Sequence, residues 1–140
     1  MQGANYQLDK EPLQQIPIAV PSDKMQEAII RIVDYILIIK SLSSDVIIDQ
    51  YVDNNLIVRQ FEKVIDALVY EIYFHDDFIK ADISFTDSVL RDFKSVNTNS
   101  SIKIIQDAFA KLRSMDNDIR NNLKYMSVKL EYLLAPIINI

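Results

Sequence analysis

The sequence predicts an all-α fold, a bundle of four to five helices preceded by an extended N-terminal arm. Three observations predict it. The 140 residues contain one glycine and four prolines, and neither residue type falls between Pro21 and Pro136; turn-rich β folds need both as punctuation. Apolar residues make up 49% of the chain and recur at steps of three and four, the spacing of a helix face. Capping residues stand where those stripes begin, Ser22 and Asp53 being the clearest, since their side chains accept hydrogen bonds from a first helical turn. A chain of this length suits one domain that buries roughly two-thirds of its unfolded surface.

Residues 1–20 form the expected arm, because Pro12 and Pro17 bias their neighbours toward extended backbone, with a short strand as an option at Ile16–Val20. The helical domain spans 21–140. Its first helix starts behind Ser22, with Asp23 at the positive end of the helix dipole. Met25, Ile29, Ile32, Ile36 and Ile39 form its stripe, Ala28, Val33 and Leu37 widen it, and it ends near Lys40. VIIDQYV (46–52) reads equally as a strand or a helix start. The second helix, about 54–74, buries Ile57, Phe61, Val64, Ile65, Leu68, Val69 and Ile72, and HDD (75–77) breaks it. A short helix follows from Thr86 with Val89, Leu90 and Phe93 inward, and VNTNSS (96–101) is a loop. The fourth helix, from about Ser101, turns Ile102, Ile105, Ala108, Phe109 and Leu112 inward. After MDND, a last helix carries Ile119, Leu123, Met126 and Leu130 and stops at Pro136.

Composition excludes much chemistry. With no cysteine there are no disulfides, thiolate metal sites or thiol nucleophiles, which fits a reducing cytoplasm. The N-terminus lacks the apolar core of a signal peptide. The most hydrophobic run, 28–39, is interrupted by Arg31 and Asp34 and is shorter than the ~20 residues of a membrane span, so a soluble, cytoplasmic protein with no membrane contact is expected. A net charge of −5 argues against a domain that grips DNA by itself, because phosphate neutralisation supplies most such affinity.

Candidate reactive groups each have a plainer reading. His75 is the one histidine, beside Asp76 and Asp77, but adjacent residues on a turn rarely converge on one ion, so a helix-terminal loop is expected. Asp92-Phe93-Lys94 resembles the acid-x-lysine of a metal-dependent nuclease, yet no Pro-Asp precedes it, and a solvated helix face explains it. Gly3 alone cannot build a phosphate-cradling loop. No catalytic, cofactor-binding or metal-ligating residue is therefore assigned. Tyr70, Tyr73, Tyr125 and Tyr132 could stack on bases, but semi-buried packing with hydroxyls at the rim is favoured. Lys111, Arg113, Arg120 and Lys124 are candidate phosphate contacts, against the alternative of a solvated face.

FEKVIDALVYEIYF (61–74) resembles a helix in the C-terminal region of type IIG restriction-modification enzymes and their BREX-type adenine-specific methyltransferase relatives. The matching residues are Ile65, Asp66, Leu68, Val69, Tyr70, Glu71, Tyr73 and Phe74. Upstream, LQQIPIAVPS and RIVDYILIIK look like the exit from the family's target-recognition domain, through Gln26, Val33, Asp34, Ile36, Leu37 and Lys40. Downstream, DNDIRNNLKYMSVKLEYLLAPII looks like its terminal helix. The likeness spans about residues 12–138.

The resemblance implies a C-terminal piece of a phage-defence enzyme that modifies adenine in DNA and in many members cleaves it. S-adenosylmethionine and Mg are implied for the rest of such an enzyme, not for this segment. The segment's partner would be the remainder of the polypeptide, with DNA contacted weakly or indirectly. The alternative is a small helical protein-protein interaction or homodimerisation module, motivated by Ile30, Ile38, Val58 and Tyr70, which lie off the main stripes. Glu71 is expected either to cap a neighbouring helix or to pair with a lysine or arginine.

Overall fold

The computed structural model describes residues 20–96 and 101–138. Those residues form seven helices and no strand: α1 (Asp23–Ser41), α2 (Asn54–Tyr73), α3 (His75–Lys80), α4 (Thr86–Asp92), α5 (Ser101–Arg113), α6 (Asp118–Lys129) and α7 (Glu131–Ile138). The all-α expectation holds. The extended arm and most of the VNTNSS loop lie outside the described residues.

The helix starts follow local chemistry. Ser22 caps α1 by accepting from the Met25 N–H at 3.2 Å, Asp53 caps α2 through the Asn55 N–H at 2.9 Å, and Asn117 caps α6 through the Arg120 N–H at 3.0 Å. Each bond satisfies a donor with no partner inside its helix. Between α1 and α2, residues 46–52 are neither strand nor helix. Asn54 Oδ1 accepts from the Ile48 N–H and its amide donates to the Val46 carbonyl. Asp49 Oδ2 accepts from the N–H groups of Tyr51 and Val52. These side chains satisfy the backbone that a strand would have paired, and Ile48 is buried beneath them.

α1 lies against α2, α4 and α5, while α6 bridges α2, α4 and α5 and leads into α7. The shared core is aromatic. Tyr35 of α1 sits 5.9 Å from Phe61 of α2 and 5.3 Å from Phe93 after α4, ring centre to ring centre. Phe61 in turn meets Phe93 edge-on at 5.4 Å and Phe109 of α5 at 6.2 Å. Four segments thus meet at one cluster, each pair contributing about 0.5–1.5 kcal/mol beyond its buried area.

Several expectations need correction. On α1 the buried residues are Ala28, Ile32, Tyr35, Ile36 and Ile39, whereas Val33 and Leu37 are 37% and 60% exposed. On α2 the buried face includes Val58 and Ala67, and Ile65, Val69 and Ile72 are only half-buried. HDD does not end helical structure; it opens α3 after a single break at Phe74. The last helix divides at Leu130, and Pro136 lies inside α7. Proline removes one backbone donor, which costs a helix one bond and need not end it.

The end of α3 shows how this glycine-poor chain turns. Asp82 has φ 57°, the left-handed conformation usually given to glycine. Its N–H donates to the Ile79 carbonyl, and the Ile83 N–H donates to Phe78 at 3.0 Å. The paired bonds form a Schellman stop, sealed by contact between its apolar flanks; Phe78 and Ile83 are both buried.

Candidate functional site

The family-like motif of α2 divides into a packed side and an open side. Leu68 is buried at 1% exposure in the core shared by the helices. Ile65, Tyr70 and Phe74 are half-buried against that core, Val69 is half-buried, and Asp66 and Tyr73 are exposed. Glu71 is the exception among the charged residues, at 6% exposure. Its Oε2 accepts from the Phe85 N–H at 3.1 Å, and its Oε1 accepts from the Thr86 N–H at 3.2 Å and the Thr86 hydroxyl at 2.7 Å. Of the two roles expected for Glu71, it caps a neighbouring helix.

The opposite end of α4 is held from α1. Arg31 donates from one Nη to the carbonyls of Leu90 and Phe93, and Tyr35 donates its hydroxyl to the Lys94 carbonyl at 2.6 Å. Burial pushes the Tyr35 phenol up, keeping it a donor. A seven-residue helix is too short to persist alone. Here Glu71 supplies its N-terminal acceptors and Arg31 and Tyr35 its C-terminal donors, so α4 is clamped between α2 and α1.

The acid-x-lysine trio is not a solvated helix face, as the sequence suggested. Asp92 is 6% exposed. Arg91 grips it with Nε and Nη2 at 2.8 and 3.2 Å, and the Asn117 amide donates at 2.8 Å. Burial alone would raise the Asp92 carboxyl, but these bonds, with the Arg91 and Lys111 charges, outweigh it and hold the group below the usual carboxylate range. A carboxylate so engaged ties α4 to α6. His75 is exposed at the start of α3, and no group of three metal-ligating side chains gathers among the described residues.

The tyrosines separate. Tyr70 is half-buried as expected, but Tyr73, Tyr125 and Tyr132 are more than half exposed. Tyr132 donates to Asp77 at 3.2 Å, and the Lys129 ammonium stands 5.3 Å from the centre of the Tyr125 ring.

Three of the four candidate phosphate contacts do come together. An open groove of about 870 Å³ runs between α2 and α6 beside the end of α5, walled by Arg113, Arg120 and Lys124 with Lys63 opposite. Lys111 is not part of its wall; its charge acts on Asp92 instead. Leu112, Leu123 and Met126 also line it, as do Gln60, Asp66, Tyr70 and Ser127. Partial burial, then the neighbouring Glu62 carboxylate, push Asp66 up, and burial followed by Asp66 does the same to Tyr70. Sequence reasoning missed Lys63 and Gln60. Their signal was the step pattern 60, 63, 66, 70 on α2, facing 120, 123, 124, 127 on α6, each a single helix face.

A second surface is apolar. Val33, Ile36 and Leu37 of α1 and Ile65 of α2 line a shallow cleft edged by Glu62 and Asp66. Ile30, at 52% exposure, continues the row one turn earlier. No helix among the described residues is long and apolar enough to cross a membrane.

Comparison with family models, with curated proteins and with solved structures finds no match to this chain.

Proposed function

We propose that this chain is a non-catalytic helical accessory domain of a DNA restriction-modification enzyme with adenine methyltransferase activity, and that it braces the target-recognition domain. The observation that carries the reading is the apolar row Ile30, Val33 and Leu37 on α1, exposed beside Ile65. Adjoining apolar residues left in water mark a surface made for another protein surface. Val33 and Leu37 are also among the residues through which α1 resembles the helix that follows the recognition domain in that family. The α2 motif supports the same reading, since Leu68 and Glu71 serve packing and capping.

On this reading S-adenosylmethionine, Mg and base readout belong to the remainder of the enzyme, which works in the cytoplasm in defence against phage. The acidic bundle supplies rigidity. Its partner is the recognition-domain polypeptide, docked on α1. The test is to co-express the chain with the methyltransferase–recognition polypeptide encoded at its own locus and to co-purify them. Wild type should co-elute and Leu37→Asp should not. A locus with no such reading frame, or co-elution indifferent to Leu37→Asp, overturns it.

The same row fits a second copy of the chain, which is the interaction-module reading. Sedimentation equilibrium decides it: a concentration-dependent dimer that Leu37→Asp dissociates supports self-association, and a monomer at high concentration removes it.

A further inference from the structure

We propose that the groove between α2 and α6 binds a nucleotide unit, taking its phosphate on Arg113, Arg120 and Lys124 and its flat base on Leu123 and the Tyr70 ring. The inference goes beyond the accessory-domain reading and does not depend on it.

Charge is the first argument. The chain carries −5 overall, yet this groove sets four cations against one carboxylate, Asp66. Neither Lys63 nor Lys124 has an ion-pair partner among the described residues. Cations that outnumber the carboxylates beside them repel one another, and an anion relieves that cost.

The arginines are held ready. Arg120 donates one Nη to the Arg113 carbonyl at 2.6 Å, which fixes its side chain across the end of α5 and leaves further N–H donors. Arg113 lies 5.6 Å from the centre of the Phe109 ring. Its contact with Asp49 is long, 3.4 Å, between partly exposed groups, so an incoming phosphate competes with it easily. A guanidinium fork suits the paired oxygens of a phosphate.

The apolar lining is the second argument. Leu112 and Met126 are buried at the base of the groove, but Leu123 and the Tyr70 ring are half-buried and line it. Bare inorganic phosphate has no use for that pair, whereas a nucleobase covers them. Gln60 and Ser127 stand beside that floor with both donors and acceptors for base edges. The shared ligand chemistry is a phosphate joined to a base, whether free in solution or within a single strand, where a cationic groove with a stacking surface is a recurring solution.

The test uses the full chain at low ionic strength. Its probes are ADP, by calorimetry, and fluorescein-labelled single-stranded oligodeoxyadenylate, by anisotropy. At least one should saturate. Arg120→Gln combined with Lys124→Gln should weaken binding about tenfold or more and, for the strand, lower the slope of log affinity against log salt by about 1.4. Asp66→Asn, which removes the one opposing carboxylate, should tighten binding, and Lys103→Gln, outside the groove, should change nothing. ADP binding with the strand excluded assigns a free nucleotide; the reverse assigns a polymer. Failure of both probes to bind, or binding that Asp66→Asn and the double variant leave unchanged, overturns the proposal. Should the double variant fail to fold, Asp66→Asn decides alone.

Discussion

The Thr86 hydroxyl donates to Glu71 Oε1 at 2.7 Å, so a carboxylate on α2 fastens the start of α4 fifteen positions further along the chain. Both backbone donors at that turn, Phe85 and Thr86, point at the same carboxylate. Glu71→Ala should therefore lose about 2–4 kcal/mol, because it leaves buried donors without an acceptor. Urea unfolding checks this. A loss below about 0.5 kcal/mol would mean that α4 holds its place without the cap.

Leu68 points into the core one turn before Glu71 and is 1% exposed. Leu68→Ala should cost about 2–5 kcal/mol, the lost transfer energy plus the cavity left behind. Equilibrium denaturation measures it, with an unchanged denaturant slope as the sign that only stability has moved.

Asp92 predicts a pH dependence. Its folded carboxyl is held below the ordinary 3.8 by Arg91 and Asn117, despite burial. A depressed carboxylate contributes stability that is present above the unfolded value and lost as pH falls through the folded one. Asp92→Asn should thus cost about 1–3 kcal/mol at neutral pH. The gap between variant and wild type should narrow only below about pH 4. Thermal unfolding across that range checks the sign; a gap constant down to acid pH would place the stabilisation elsewhere.

Asp82 occupies a glycine conformation, φ 57°. Asp82→Gly relieves the strain at the Schellman stop but adds unfolded-chain freedom, so the expected change is a gain of at most about 1 kcal/mol. Asp82→Val should lose more than 1 kcal/mol, since a β-branched side chain resists that backbone. Melting temperatures of the two variants should move in opposite directions.

The sequence made the helix starts legible because capping is local: Ser22 and Asp53 act on residues two or three positions away. It misplaced the α1 stripe for an equally physical reason. Isoleucine, leucine and valine run around most of that helix, so spacing alone permits two overlapping faces, and only the position of α2 and α4 leaves Leu37 outside and Tyr35 inside. The break at Leu130 was silent; at Phe74 the sequence showed where α2 ends but not that helix resumes at once with His75. The backbone angles at Phe74 and Leu130, φ −116° with ψ 41° and φ −113° with ψ 21°, are open to any residue, so neither glycine nor proline marked them. Three of the groove's cations were read from the sequence, but Lys63 stands on another helix and needed the packing of α2 on α6 to join them.

The central claim, that α1 braces a recognition domain, is tested most directly by adenine methylation. The assay uses the polypeptide from the chain's own locus, cut after its recognition domain and supplied with this chain in trans. The account predicts that wild type restores methylation and that Leu37→Asp, folded to the same helical content, does not. Equal restoration by Leu37→Asp, or none by wild type, would contradict it.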